Sequence, residues 1–144
     1  VDFSRLQPIR LGMALVAAAG PAANLALCVL SLVILQAVGW TPDMPGRDWL
    51  VETAKKGVIL NAILAVFNML PVPPLDGGRI LTALLPGRIG SLLLPLERTG
   101  IFLVVFVLFV LPWLLSAAGI GFNPLDWLIW QPVEWIITGL TAVV

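Results

Sequence analysis

Histidine is missing altogether from this chain of 144 residues. No imidazole of its own can bind a metal or shuttle a proton, so an acidic residue that does chemistry here needs partners these residues do not all supply. Charge is nearly as scarce. Only 11% of residues are charged, against 60% hydrophobic, where a soluble domain carries about a quarter charged. That balance excludes an ordinary soluble domain and marks an integral membrane protein. Eight basic and eight acidic residues cancel, which leaves no electrostatic case for binding nucleic acid. Cys28 is alone and lies in an apolar run, so no internal disulfide can form and small apolar packing is its expected role. Repeats and low-complexity tracts are absent. The opening Val1-Asp2-Phe3-Ser4-Arg5 is not a signal peptide. The chain reads as a single membrane domain, 1–144, expected to be the C-terminal part of a longer protein or a partial reading frame.

What is present is a set of apolar segments, each to be weighed against the roughly 20 residues that cross a bilayer. Residues 11–39 carry no charge and are the first candidate span. Residues 40–56 hold Asp43, Arg47, Asp48, Glu52, Lys55 and Lys56 with Pro42, Pro45 and Gly46, and read as an extramembrane loop. Residues 57–75 are the second candidate, ending in prolines. A short helix over 79–87 should stop at Pro86-Gly87, and Arg88, Glu97 and Arg98 edge a polar connector. Residues 100–119 are the third candidate, with Pro112 as a possible kink. Over 126–144, Trp127, Trp130 and Trp135 mix with Asp126, Gln131 and Glu134, the pattern of an interfacial segment or a fourth, C-terminal helix. The expected fold is all-α, with about three transmembrane helices, the second of them broken. Basic residues favour the cytoplasm, which puts Arg5, Arg10, Arg79, Arg88 and Arg98 there and the 40–56 loop outside.

The break is the run Phe67-Asn68-Met69-Leu70-Pro71-Val72-Pro73-Pro74-Leu75-Asp76-Gly77-Gly78. Non-helical backbone at membrane depth is tolerated only where protein buries it or a watery cavity meets it. An ionisable residue at such a break is a functional candidate. Asp76 therefore has two readings: a metal ligand or proton-handling group facing a cavity, or an N-cap for the helix that follows. Gly77 and Gly78 suit either, by permitting unusual backbone angles or close approach. Pro71, Pro73 and Pro74 cannot donate hydrogen bonds, so the stretch is expected to be extended. The N–H groups of Val72 and Leu75 would then be free to pair with an extended substrate strand. The plain alternative is a rigid connector.

A second constellation, Gly20-Pro21-Ala22-Ala23-Asn24, lies inside the first span. Pro21 leaves the Ala17 carbonyl without its helical partner. Gly20 and the neighbouring alanines form a smooth surface for close helix packing. Asn24 shares a face with Pro21 and could polarise a carbonyl in a dry site or bridge two helices. Asn61 and Asn68 make a polar stripe on the second span and read as packing or supporting groups.

Together, Gly-Pro-x-x-Asn and the later Asn-x-x-Pro-x-Pro-Pro-Leu-Asp-Gly resemble the site-2 protease family of intramembrane zinc metalloproteases, most closely its compact bacterial members without a PDZ domain. The resemblance covers about residues 2–119, including the lead-in from Asp2 to Met13. It implies cleavage of transmembrane segments of other membrane proteins in a bacterial inner membrane. It also implies zinc held by two histidines of a His-Glu-x-x-His helix and by the aspartate matched by Asp76, with the motif glutamate activating water. Asn24 matches the residue that positions the scissile peptide. The His-Glu-x-x-His helix has no counterpart here, so this chain alone is expected to be inactive. Two other classes fit parts of the pattern. One is a transporter-like protein, whose broken helices also build sites. The other is a non-catalytic membrane scaffold or binding module.

Overall fold

The structure, a computed structural model, describes residues 7–85 and 96–143. Expectations that fell on Asp2, Arg5, Pro86, Gly87 and Arg88, and on the side chains of Arg10, Glu97 and Arg98, lie outside the described residues. The fold is all-α, with no strand among the described residues.

Helix α1 (Gln7–Gly39) runs without interruption through Pro21. A tight connection follows, in which Gly46 takes the left-handed conformation (φ 76°) that starts α2, one that side chains with a Cβ adopt only at a cost. Helix α2 (Arg47–Asn68) begins earlier than hydropathy suggests. Arg47, Asp48, Glu52, Lys55 and Lys56, expected in a loop, lie on its first turns, where Lys55 and Glu52 pair at 3.1 Å. Its charge-free remainder, 57–68, rises roughly 18 Å at 1.5 Å per residue, too little to cross a hydrocarbon core of about 30 Å. Two helices among the described residues, rather than three, are therefore long and apolar enough to span: Leu11–Gly39 and Thr99–Ala117. Together with the composition they make this an integral membrane protein.

The short helix α3 (Asp76–Leu84) starts at Asp76, three residues before its expected beginning. It stops at Leu84, and Leu85 is extended, the conformation favoured by a residue that precedes proline. Helix α4 comprises Leu96–Val105, a π-helical turn Phe106–Val110, and Leu111–Ala117. The π turn sits just ahead of Pro112, whose missing N–H and bulky ring disrupt regular α pairing. The same device recurs in helix α5, where a π turn Asp126–Trp130 precedes Pro132 and continues as Gln131–Val143. Helix α4 ends in a Schellman arrangement: Ile120 N–H donates to Leu115 O (2.9 Å) and Gly119 N–H to Ser116 O (3.1 Å), with Gly119 at φ 73°.

One continuous apolar cluster holds these elements together. Cys28 and Leu32 of α1 meet Val58 and Ala62 of α2. The cluster continues through Val66, Leu70 and Leu75 to Val104 and Leu108 of α4 and to Ile129 and Val133 of α5. Cys28 is fully buried and its thiol donates to the Val58 carbonyl at 3.5 Å. Small residues let α1 and α2 approach closely: a β-carbon on Gly57 would stand 2.5 Å from Ser31 Oγ. The outward face of α1 keeps Leu11, Met13, Leu15, Val16, Leu27, Leu30 and Val33 exposed, as suits a lipid-facing helix. The tail is a helix, as both of its expected forms, interfacial or fourth C-terminal, required. It buries Ile129 and Val133 while Trp127, Trp130 and Trp135 point outward.

Candidate functional site

The site is built where the broken end of α2 doubles back into α3 beside α1. Helix α2 frays in two turns, with Met69 N–H shared between Ala65 O and Val66 O (both 3.1 Å) and Leu70 N–H donating to Phe67 O (3.1 Å). The loop does not run out extended, as its prolines suggested. Val72 N–H donates to Leu70 O at 2.8 Å and Leu75 N–H to Val72 O at 3.0 Å. Both groups expected to be free for a substrate strand are thus used inside the loop. The physical reason is local: three prolines remove donors but leave the carbonyls, and the two remaining N–H groups fold back onto them.

Glycines make this coil possible. A β-carbon on Gly77 would collide with the carbonyls of Met69 and Leu70, and one on Gly78 with the Val72–Pro73 backbone. The first turn of α3 is therefore pressed directly onto the loop that precedes it. Gly100 of α4 lies on the Pro73 carbonyl and touches Pro74 in the same way. Pro73 and Leu75 are buried, Val72 and Pro74 half-buried, and Pro71 exposed.

Asp76 is the first residue of α3, half-buried. It makes no capping hydrogen bond: the N-cap position belongs to Leu75, whose side chain has nothing to donate or accept. Among the described residues the Asp76 carboxylate has no hydrogen-bond or ion-pair partner. What it does have is a position. A β-carbon on Gly20 would lie 2.6 Å from Asp76 Oδ2 and 3.5 Å from its Cγ. The aspartate of the second motif is thus packed against the glycine of the first, although 56 residues separate them. Asn24 is one turn along α1 from Gly20, on the same face, half-buried. Neither Asn24 nor Asn68 makes a side-chain hydrogen bond among the described residues, so the helix-bridging reading of Asn24 is not what the structure displays. Asn61 donates to Gly57 O at 2.8 Å within its own helix. Pro21 is buried and walls an apolar cavity of about 340 Å³ with Leu25, Ala65, Met69, Leu70 and Pro132.

The structure therefore brings Gly20 and Asp76 together, with Asn24 one helical turn from Gly20, and leaves Asp76 unpaired among the described residues. Sequence reasoning missed Gly100. Its only signal was a glycine near the start of an apolar helix, a position where alanine would be the better helix former.

The pattern of Peptidase family M50 matches residues 47–112, which take in α2, the break loop, α3 and most of α4. The chain belongs to this family, the site-2 proteases. Similar M50 relatives carry names of the same kind. "Putative zinc metalloprotease YwhC" of Bacillus subtilis (strain 168) is 38% identical over 106 residues, covering 72% of this chain and 48% of that protein. "Probable membrane metalloprotease ARASP2, chloroplastic" of Arabidopsis thaliana is 40% identical over 81 residues, 52% of this chain and 18% of that protein. The match thus spans about half of the Bacillus relative and under a fifth of the Arabidopsis one. No solved structure matches the chain.

Proposed function

We propose that this M50 chain is the C-terminal portion of an intramembrane zinc metalloprotease that hydrolyses peptide bonds in transmembrane segments of other membrane proteins. The observation that carries the reading is the Asp76 carboxylate, unpaired among the described residues and held against Gly20 of the Gly-Pro-x-x-Asn motif, in which Asn24 lies one helical turn further along α1. An aspartate that merely capped α3 would spend its oxygens on the first-turn N–H groups, and Asp76 does not.

Zinc is the metal in the name of the Bacillus relative. This chain's own residues do not complete a zinc site. Histidine is absent, and among the described residues no three histidine, cysteine, aspartate or glutamate side chains are grouped to hold a metal. A catalytic zinc takes three protein ligands and an open position. Asp76 is then one donor among several. In the whole protein Asp76 serves as the metal-binding carboxylate of this side of the site. Asn24 offers its amide to the carbonyl of the bond to be cleaved, a preorganised donor in a dry setting. Exposed Pro71 and half-buried Val72 present apolar contact to the substrate, while buried Pro73 and Leu75 shape the loop beneath them. Gly77, Gly78, Pro21 and Asn68 support the geometry. The basic residues that follow the break in the sequence, Arg79, Arg88 and Arg98, favour a metal on the cytoplasmic half of the bilayer, and the Bacillus relative supports a bacterial cell membrane.

The experiment is cleavage of a membrane-embedded substrate by the reconstituted full-length protein. Asp76→Ala should abolish cleavage, and Asn24→Ala should lower the turnover rate more than it raises KM. Undiminished cleavage by Asp76→Ala would refute the reading.

A further inference from the structure

We infer that Gly20 is a positioning residue: the space left by its missing side chain is the notch that seats the Asp76 carboxylate. The inference rests on the reading of Asp76 as a metal donor but is tested separately from it. Metal ligands are ordinarily fixed by hydrogen bonds from neighbouring groups. Among the described residues Asp76 has none, and its own helix does not cap onto it. Two steric contacts replace them. From behind, Gly77 and Gly78 press the start of α3 onto the backbone of residues 69–73. From the front, α1 closes on the carboxylate at Gly20, where a β-carbon would stand 2.6 Å from Oδ2, inside van der Waals contact. The carboxylate is a rigid, three-atom planar group at the end of a single methylene. Turning about χ1 or χ2 can carry Oδ2 away only by taking it out of this position, so a methyl group on residue 20 must displace the carboxylate or part α1 from α3.

Other glycines of the chain provide the controls. A β-carbon on Gly12, in the same helix, would meet nothing within 4 Å. One on Gly57 would meet Ser31 Oγ in the α1–α2 contact, a close approach with no part in the site. Alanine is also the better helix former, so Gly→Ala in α1 is neutral or stabilising wherever space allows.

The test has two readouts on the full-length protein, neither of which is activity. The first is the apparent zinc affinity, by competition with a chelator. Gly20→Ala should weaken zinc about 10–100-fold, the usual effect of disturbing a group that orients a ligand, while Gly12→Ala and Gly57→Ala leave it unchanged. Wild-type affinity in Gly20→Ala overturns the inference. The second is a double-mutant cycle on the thermal midpoint in detergent, with chelator present throughout. Gly20→Ala should lower the midpoint when Asp76 is present and have no effect, or raise it, in an Asp76→Ala background where the notch is empty. The same loss in both backgrounds means that the methyl clashes with something other than Asp76, and the inference falls. Should Asp76→Ala itself retain full zinc affinity, the metal-donor reading falls, and the cycle still decides whether Gly20 seats the carboxylate.

Discussion

Gly100 of α4 lies flat on the carbonyl of Pro73, so closely that no side chain fits between the helix and the break loop. The contact ties a membrane-spanning helix to the loop that delivers Asp76. It also covers a loop carbonyl that accepts no hydrogen bond within the loop itself. A methyl group added there forces the two backbones apart, and overpacking of this kind costs about 1–3 kcal/mol. Gly100→Ala should therefore lower unfolding stability by that amount, as measured by denaturant titration in detergent. In the full-length protein it should also reduce cleavage by moving Asp76. A variant of unchanged stability would mean that α4 does not rest on the loop.

Asp76 lacks the hydrogen bonds of a capping residue. Losing a capping aspartate costs about 0.5–2 kcal/mol. Losing an acid that only faces the positive end of a helix costs about 0.3–1 kcal/mol. Asp76→Ala should thus fall in the lower range, with a well-folded protein whose function is gone. A loss near 2 kcal/mol, measured by the same denaturant titration, would restore the capping role.

The two motifs were legible from residue order, because helix breakers and an acid at the end of an apolar run are unusual. Their meeting was not. Gly20 and Asp76 are joined by the packing of α1 on α3, which no local spacing encodes. The loop's conformation was also hidden. Three prolines exclude helix but do not choose between an extended strand and the coil that Val72 and Leu75 close with their N–H groups. Hydropathy misplaced the start of α2 for a different reason. Lys55 and Glu52 are charged yet helical, satisfied by water and each other, and composition alone cannot separate a solvated first turn from a loop. The span 11–39 was easy, since a charge-free stretch of that length has few alternatives to a helix in lipid.

Cys28 should be inert in the folded protein. Its side chain is fully enclosed between α1 and α2, with the thiol directed at the Val58 carbonyl. A maleimide reagent should fail to label it in mild detergent and should label it fully after denaturation in SDS. Rapid labelling of the native protein would show that α1 and α2 separate readily. Cys28→Leu, which adds volume at a site with no free space, should destabilise by about 1–3 kcal/mol.

The most direct measurement is the zinc content of the purified full-length protein and of its Asp76→Ala variant, by elemental analysis after dialysis against a weak chelator. The account predicts about one zinc per molecule for the wild type, by the single-metal logic of such sites, and a large loss in the variant while the fold is retained. Equal zinc in both would contradict it and leave Asp76 as a residue of the helix start alone.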